Sequence, residues 1–247
     1  MIARRVADSG AVRVQDLSDE LRVSVETIRR DLMFLERDGV LDRVSGGAAT
    51  PGQRCADEPC FSERLKAQEQ AKIRIGLAAA ALVHDGAIIF LDVGTTTLRV
   101  ASALPKTFHG LVVTNSVPVA VEFARRPSVQ VLLTGGRMRC DDQALSGQHA
   151  LDLIEAVRAD VAFLGAGGAH PTCGLTGFHL DEVATRLAMI RGSAKSYVLA
   201  DSAKFNRVAP FHVAGWDSLA GLITEAEPPA GLQAALLESG AELIVAG

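Results

Sequence analysis

The stretch from Ser24 to Ala48, SVETIRRDLMFLERDGVLDRVSGGA, decides how the front of this chain is read. Ile28, Leu32 and Leu35 recur at i, i+4 and i+7, the apolar stripe of a helix that packs one face on a core. At about 100° per residue, Glu26, Arg30 and Met33 point away from that stripe, and Thr27 and Arg29 flank it. Ser24 can cap the helix, because a serine hydroxyl accepts a hydrogen bond from an otherwise unpaired N–H of the first turn. Glu26 suits the positive end of the helix dipole. Gly39 ends the helix, Leu41 to Val44 reads as a strand, Gly46–Gly47 as a tight turn and Ala48–Ala49 as the return.

Upstream, Ile2 and Val6 lie on a short helix that breaks at Ser9–Gly10, and Val12 and Val14 alternate after it. Leu17 and Leu21 share one face of a second short helix, and Arg22–Val23 makes the turn into the next. Two short helices, the second exposing Thr and Arg near its start, fit a helix-turn-helix whose recognition helix enters a DNA groove. The hairpin behind it would be a wing, with Arg43 placed for phosphate or the minor groove. A solvated surface helix carrying an Arg–Asp pair gives the same periodicity, so the pattern alone leaves both readings open.

At 247 residues the chain has room for one large or two modest domains, and its 48% apolar content allows a sizeable core. No apolar run approaches membrane-spanning length and no signal-peptide pattern opens the chain, so a cytoplasmic protein is expected. Cys55, Cys60, Cys140 and Cys173 form no CxxC pair and have no histidine at zinc spacing. They read as reduced thiols, and no metal or cofactor is expected. Net charge is −4, and residues 1–50 hold eight Arg against nine acids, about −1. Any DNA contact must therefore come from a few clustered arginines rather than a general positive field.

Residues 50–61, TPGQRCADEPCF, read as a linker within a connecting region of 51–70. From Ser62 the chain turns helical, with Ile75, Ala78, Ala79 and Leu82 on the apolar face. The polar first half of that helix could transmit motion, line a dimer interface, or simply open the second domain, which spans 71–247.

That second domain alternates helix with short apolar runs: AIIFLD (87–92), LVVTN (111–115), VQVLLT (129–134), DVAFLG (160–165), SYVLAD (196–201), LAGLIT (219–224) and AELIVA (241–246). Continuous apolar runs mark strands buried on both faces, hence a mostly parallel sheet in an α/β fold. Ligands of such sheets bind beyond the strand C-termini. Those ends carry Asp92 then Gly94–Thr95–Thr96–Thr97, Asn115, Gly136, Gly165, and Asp201 with Lys204. A glycine followed by hydroxyls at a helix start suits a phosphate, although a capped strand–helix turn looks alike. There is no Walker motif, and GAGGAH (165–170) lacks the third glycine position of a dinucleotide fingerprint. The six histidines are scattered and suggest no triad.

Residues 12–48 closely resemble the winged helix-turn-helix of the DeoR family of bacterial transcription regulators, through TIRRDL and the Gly-Gly-Ala end. The resemblance implies that Ser24, Glu26, Thr27, Arg29, Arg30, Arg43, Gly46 and Gly47 form the DNA-binding set, with Thr27, Arg29 and Arg30 on the recognition helix. Asp42 and Ser45 replace basic or imidazole side chains of the family's wing, and the first helix is several residues short, as if the start were placed late. The run KIRIGLAAAALVHDGAIIFLDVGTTT, VVTNS, LLTGG, LSGQHAL, DVAFLGAGG, GLTGF and LADSAKF extends the resemblance to the family's sensor domain. That domain is similar to ribose-5-phosphate isomerase in fold and binds phosphorylated sugars. It implies a pocket of Asp92, Gly94, Thr95, Thr96, Thr97, Asn115, Gly136, Gly165, Asp201 and Lys204. Thr95 and Thr96 would meet phosphate, Lys204 would supply charge, and Asp92 or Asp201 would accept from sugar hydroxyls. Arg186, Ala184 and Glu225 depart from the family's usual Lys, acid and Asp.

The expected function is thus a transcriptional repressor of a carbohydrate operon. It would bind a double-stranded operator as a homodimer or homotetramer and be controlled by a phosphorylated sugar, without catalysis. The alternative is a sugar-phosphate isomerase-like enzyme with an appended helical module, using Asp201 or Asp92 as base and Lys204 as stabiliser. A CoA-transferase-like enzyme would need a nucleophilic Glu at a strand end, and none presents itself.

Overall fold

The computed structural model describes residues 1–9, 11–44, 47–49 and 58–247. The first part builds α1 (Ile2–Ser9), β1 (Ala11–Arg13), α2 (Val14–Leu21), α3 (Val25–Arg37), β2 (Asp42–Val44) and β3 (Gly47–Ala49). The three strands form an antiparallel sheet in the order β1-β3-β2. Ile2, Val6, Val12, Val14, Leu17, Ile28, Leu32, Leu41 and Ala48 are buried together, and Leu21 and Leu35 close the edge. The stripe read from the sequence is therefore the core face of α3. Ser24 caps α3 as expected, its hydroxyl accepting from the Thr27 N–H at 3.2 Å. Gly47 is required where β3 pairs with β1, since a Cβ there would lie 2.0 Å from the Val12 carbonyl oxygen.

The connecting helix is two helices, α4 (Phe61–Lys66) and α5 (Glu69–Ala80), rather than one starting at Ser62. Gln68 sits in the left-handed region at φ 52, which no helix interior tolerates. The start also differs: Cys60 holds the cap position, and its N–H donates to the Glu63 carboxylate at 3.2 Å. Periodicity could not show this break, because a buried lysine stabilises it. Lys72 Nζ donates to the Arg64 carbonyl and, at 2.7 Å, to the Ala67 carbonyl, satisfying the C-terminal end of α4.

From there the chain runs β4 (Ile88–Leu91), α6 (Thr95–Ala103), β5 (Gly110–Thr114), α7 (Val117–Glu122), β6 (Val129–Leu133), β7 (Arg137–Met138), β8 (Leu145–Ser146), α8 (Gln148–Ala156) and β9 (Ala159–Gly165). It continues through β10 (Gly168–His170), β11 (Gly174–Gly177), α9 (Leu180–Gly192), β12 (Ser193–Leu199), β13 (Phe211–Ala214), β14 (Gly221–Thr224), α10 (Ala230–Ser239) and β15 (Glu242–Val245). Seven strands pair in parallel in the order β15-β14-β12-β9-β4-β5-β6. They are the seven apolar runs of the sequence. Ile89 and Leu91 pack on one face with Ile75, Val100 and Phe163, while Phe90 packs on the other with Ala162, Leu164 and Met189. Both faces are covered, which is why the runs lack alternation. Strand order proceeds one way from β4 to β6 and the other way from β9 to β15. The reversal falls between β4 and β9, the topological switch point where a crevice opens.

A smaller antiparallel sheet, β10-β11-β13, was not legible as strands because its segments are short and glycine-rich. Its β10–β11 turn is built on His170, which is 1% exposed. The His170 Nδ1 accepts from the N–H groups of Thr172 and Cys173 at 3.2 and 3.3 Å, which requires that nitrogen to be unprotonated. The same turn meets the N-terminal domain, where Arg13 Nε donates to the Thr172 carbonyl at 3.1 Å. Burial pushes the His170 imidazole down to about 4. Below the ordinary histidine range the unfolded chain takes up a proton that the folded chain refuses, so stability is complete above about pH 6.5 and falls as pH drops toward 4. The expected loss is about 3 kcal/mol across that window. Urea denaturation of His170→Asn, which keeps an acceptor near the Nδ1 position but cannot titrate, should show a flatter pH profile than the unaltered protein.

Candidate DNA interface and effector pocket

The outward face of α3 and the adjoining hairpin enclose a groove lined by Ser24, Glu26, Thr27, Arg29, Arg30, Met33 and Arg43. Six of the eight residues expected to touch DNA thus come together. Gly46 lies outside the described residues, and Gly47 serves the β1–β3 pairing. Met33 joins the groove, adding an apolar side chain of the kind that can meet a thymine methyl. The cations differ in commitment. Arg29 pairs with Glu26 at 3.5 Å, an exposed pair, and Arg43 with Glu36 at 3.8 Å, a half-exposed one. The Arg30 side chain makes no hydrogen bond or ion pair within the described residues and is exposed. The Thr27 hydroxyl is held by Ser24 Oγ at 2.8 Å, which fixes its rotamer on the groove floor.

At the switch point of the large sheet lies a cavity of about 170 Å³. Gly94, Thr95, Thr96, Gly165, Asp201 and Lys204 line it, six of the ten residues expected there. Gly94 adopts φ +154, turning the chain sharply from β4 into α6 so that the helix N-terminus opens on the cavity. Unpaired N–H groups and threonine hydroxyls at that end suit an anion. Opposite, the Lys204 side chain makes no hydrogen bond or ion pair within the described residues, and Arg207 beside it is exposed. Burial lowers the Lys204 ammonium from its ordinary range while neighbouring Asp201 works the other way. Glu225, the departure from the family's Asp, accepts from the Ser202 N–H and, at 2.6 Å, the Ser202 hydroxyl. It thereby fixes the turn that carries Asp201 and Lys204.

The other four expected residues lie apart from the cavity wall. Thr97 is buried and donates to the Gly94 carbonyl at 2.8 Å. Gly136 packs against the Ser146 carbonyl. Asn115 donates to Asp92 at 3.3 Å, and its own Oδ1 is buried without a partner among the described residues. Asp92 is 0% exposed and accepts from the Gly165 N–H at 3.1 Å and from Arg186 Nε at 2.7 Å. It is a structural anchor beneath the site rather than a group facing a ligand. Burial drives the Asp92 carboxyl upward, opposed by the Arg186 charge.

Residues missed in the sequence complete the wall: Glu58, Glu63, Arg64, Lys72, Glu182 and Arg207. Their signal was weak because four of the six come from the linker, α4 and α5, where charges are expected to be solvated. Arg186, noted as a departure, lines the cavity, while Ala184 is exposed. Arg186 also pairs with Glu182 at 2.8 Å.

A winged helix-turn-helix ahead of a parallel sheet with an anion-suited crevice defines a two-domain regulator that reads DNA with one part and a small molecule with the other. Residues 1–54 match the model of the DeoR-like helix-turn-helix domain, and residues 67–226 that of the DeoR C-terminal sensor domain. The chain belongs to the DeoR family of transcriptional regulators. The glycerol-3-phosphate regulon repressor of Escherichia coli is 31% identical over 242 residues, covering 98% of this chain and 95% of its own. The HTH-type transcriptional regulator FruR of Bacillus subtilis is 34% identical over 230 residues, covering 92% and 90%. Among solved structures, ribose 5-phosphate isomerase A of Methanocaldococcus jannaschii overlays 56% of this chain and 55% of its own, at 18% identity and a TM-score of 0.42. Among the described residues no helix is long and apolar enough to cross a membrane.

Arg186→Met leaves the buried Asp92 carboxylate without its cation, Glu182 keeping Arg139, and is expected to cost about 3–5 kcal/mol in chemical denaturation. Adding Asp92→Asn should return a measurable part of that loss, because the carboxylate left unpaired is then neutral. A double variant no more stable than Arg186→Met would show that the pair contributes packing only.

Proposed function

We propose that this protein is a cytoplasmic, non-enzymatic repressor of an operon of carbohydrate metabolism, relieved or set by a phosphorylated sugar or polyol. The observation that carries the reading is the pairing, in one chain, of an uncommitted Arg30 on a recognition helix with a cavity between the α6 N-terminus and Lys204. The α6 end, with Thr95 and Thr96, would hold the phosphate, and Asp201 would accept from hydroxyls. The glycerol-3-phosphate regulon repressor, named for the regulon of a phosphorylated polyol, supports that effector class. A single recognition helix reads few base pairs, so the protein would act as a homodimer or homotetramer on a two-fold operator.

Selection of bound duplexes from a random pool by the full-length protein tests the first half. Arg30→Ala should lower affinity for the selected duplex by about 5- to 100-fold with no change in the circular-dichroism melting profile. Unchanged affinity would remove Arg30 from the interface. For the second half, a thermal-shift screen of sugar and polyol phosphates should yield a stabiliser of the unaltered protein. Lys204→Met should lose that stabilisation and the effector's action on DNA affinity while still binding the selected duplex. Retention of both would place the effector elsewhere.

A further inference from the structure

The segment that joins the two domains also forms a wall of the cavity. Glu58, Pro59, Glu63, Arg64, Ala67 and Gln68 border it, facing Thr95 and Lys204. The left-handed Gln68 and the Lys72 cap fold α4 back across the cavity instead of letting it continue α5. Within that wall Arg64 has two carboxylate partners, Glu58 at 2.5 Å and Asp142 at 3.5 Å. Glu58 is held a second time by His179 Nε2 at 3.0 Å. Asp142 leads on through Arg139 and Glu182 to Arg186 and Asp92. The ion pairs thus run unbroken from the sheet's switch point to the tether of the DNA-binding domain. Glu58 and Arg64 also both act on the Lys204 ammonium, in opposite directions.

We propose that the tether is part of the effector site: Arg64 takes the effector's phosphate together with Thr95, Thr96 and Lys204, and Glu58 competes with that phosphate for Arg64. The inference rests on the sensor-pocket reading above and adds its specificity and its route to DNA. A guanidinium binds phosphate bidentately and as strongly as it binds a carboxylate, while a phosphate of charge about −1.5 to −2 repels a carboxylate sharing its site. Binding then releases Glu58 from Arg64. Because Glu58 follows directly on the linker from the wing, its release alters how the DNA-binding domain is held. A neutral sugar has no means of displacing Glu58, so the site selects anionic effectors through the same residue that transmits the signal.

The test is calorimetric titration of the full-length protein with inorganic phosphate at constant ionic strength. Glu58→Gln, which deletes the competing charge and keeps the shape, should bind phosphate about tenfold more tightly than the unaltered protein. Arg64→Met should bind it about tenfold more weakly, and should Arg64→Met fail to fold, Glu58→Gln alone decides. Phosphate binding abolished by Lys204→Met but unmoved or weakened by Glu58→Gln would overturn the role of the tether and leave the pocket standing. No phosphate binding by the unaltered protein and by Glu58→Gln alike would overturn the pocket reading and this inference with it. Binding by Glu58→Gln alone would support the competition directly.

Discussion

The Asp92 carboxylate sits without solvent at the one place where the order of the seven parallel strands reverses. A buried charge there is costly unless it is fully paired. Arg186, the Gly165 N–H and Asn115 supply that pairing from α9, β9 and the residue just past β5. Three elements far apart in sequence are thereby pinned to the C-terminal end of β4. The α6 N-terminus follows two residues after Asp92, so its position over the cavity depends on the same anchor. A crevice at a switch point arises from topology alone, but its dimensions here are set by a salt bridge beneath its floor.

This anchor explains what the sequence could and could not reveal. The seven strands were legible because burial on both faces writes continuous apolar runs. The core of the winged helix was legible because Ile28, Leu32 and Leu35 keep helical spacing. Asp92, Asn115 and Thr97 were singled out as ligand contacts, because a polar residue at a strand end looks the same whether it faces a ligand or supports the backbone that does. Asp92 and Asn115 are polar and fully buried, a combination that periodicity does not report. The opposite error concerns Glu58, Arg64 and Lys72. They lie in a charged connector that reads as solvated, yet the turn at Gln68 brings them over the cavity. That turn depends on Lys72 bonding back to two carbonyls, a tertiary contact no local pattern encodes.

The same logic of committed and uncommitted charge governs the DNA face. The N-terminal fifty residues are slightly acidic, with eight Arg against nine acids. The structure shows where part of that acid goes: Glu26 lies beside Arg29 and Glu36 beside Arg43, both at the rim of the groove. Pairs this open to solvent are worth little to stability, so their consequence is for binding. Each carboxylate competes with a DNA phosphate for its arginine, and a phosphate contact must displace it. Generic attraction to the duplex backbone is correspondingly weak, since counterion release scales with the number of phosphates neutralised. On the proposed reading, recognition would rest on Arg30 and the Thr27 hydroxyl reaching base edges in correct register, with a second copy supplying the other half-site. A protein with little non-specific affinity is also easily switched, because a modest change in how its recognition helix is held removes much of the binding free energy. The acidic character that argued against a DNA-binding module is, on this view, what makes its occupancy of DNA responsive to the sensor behind it.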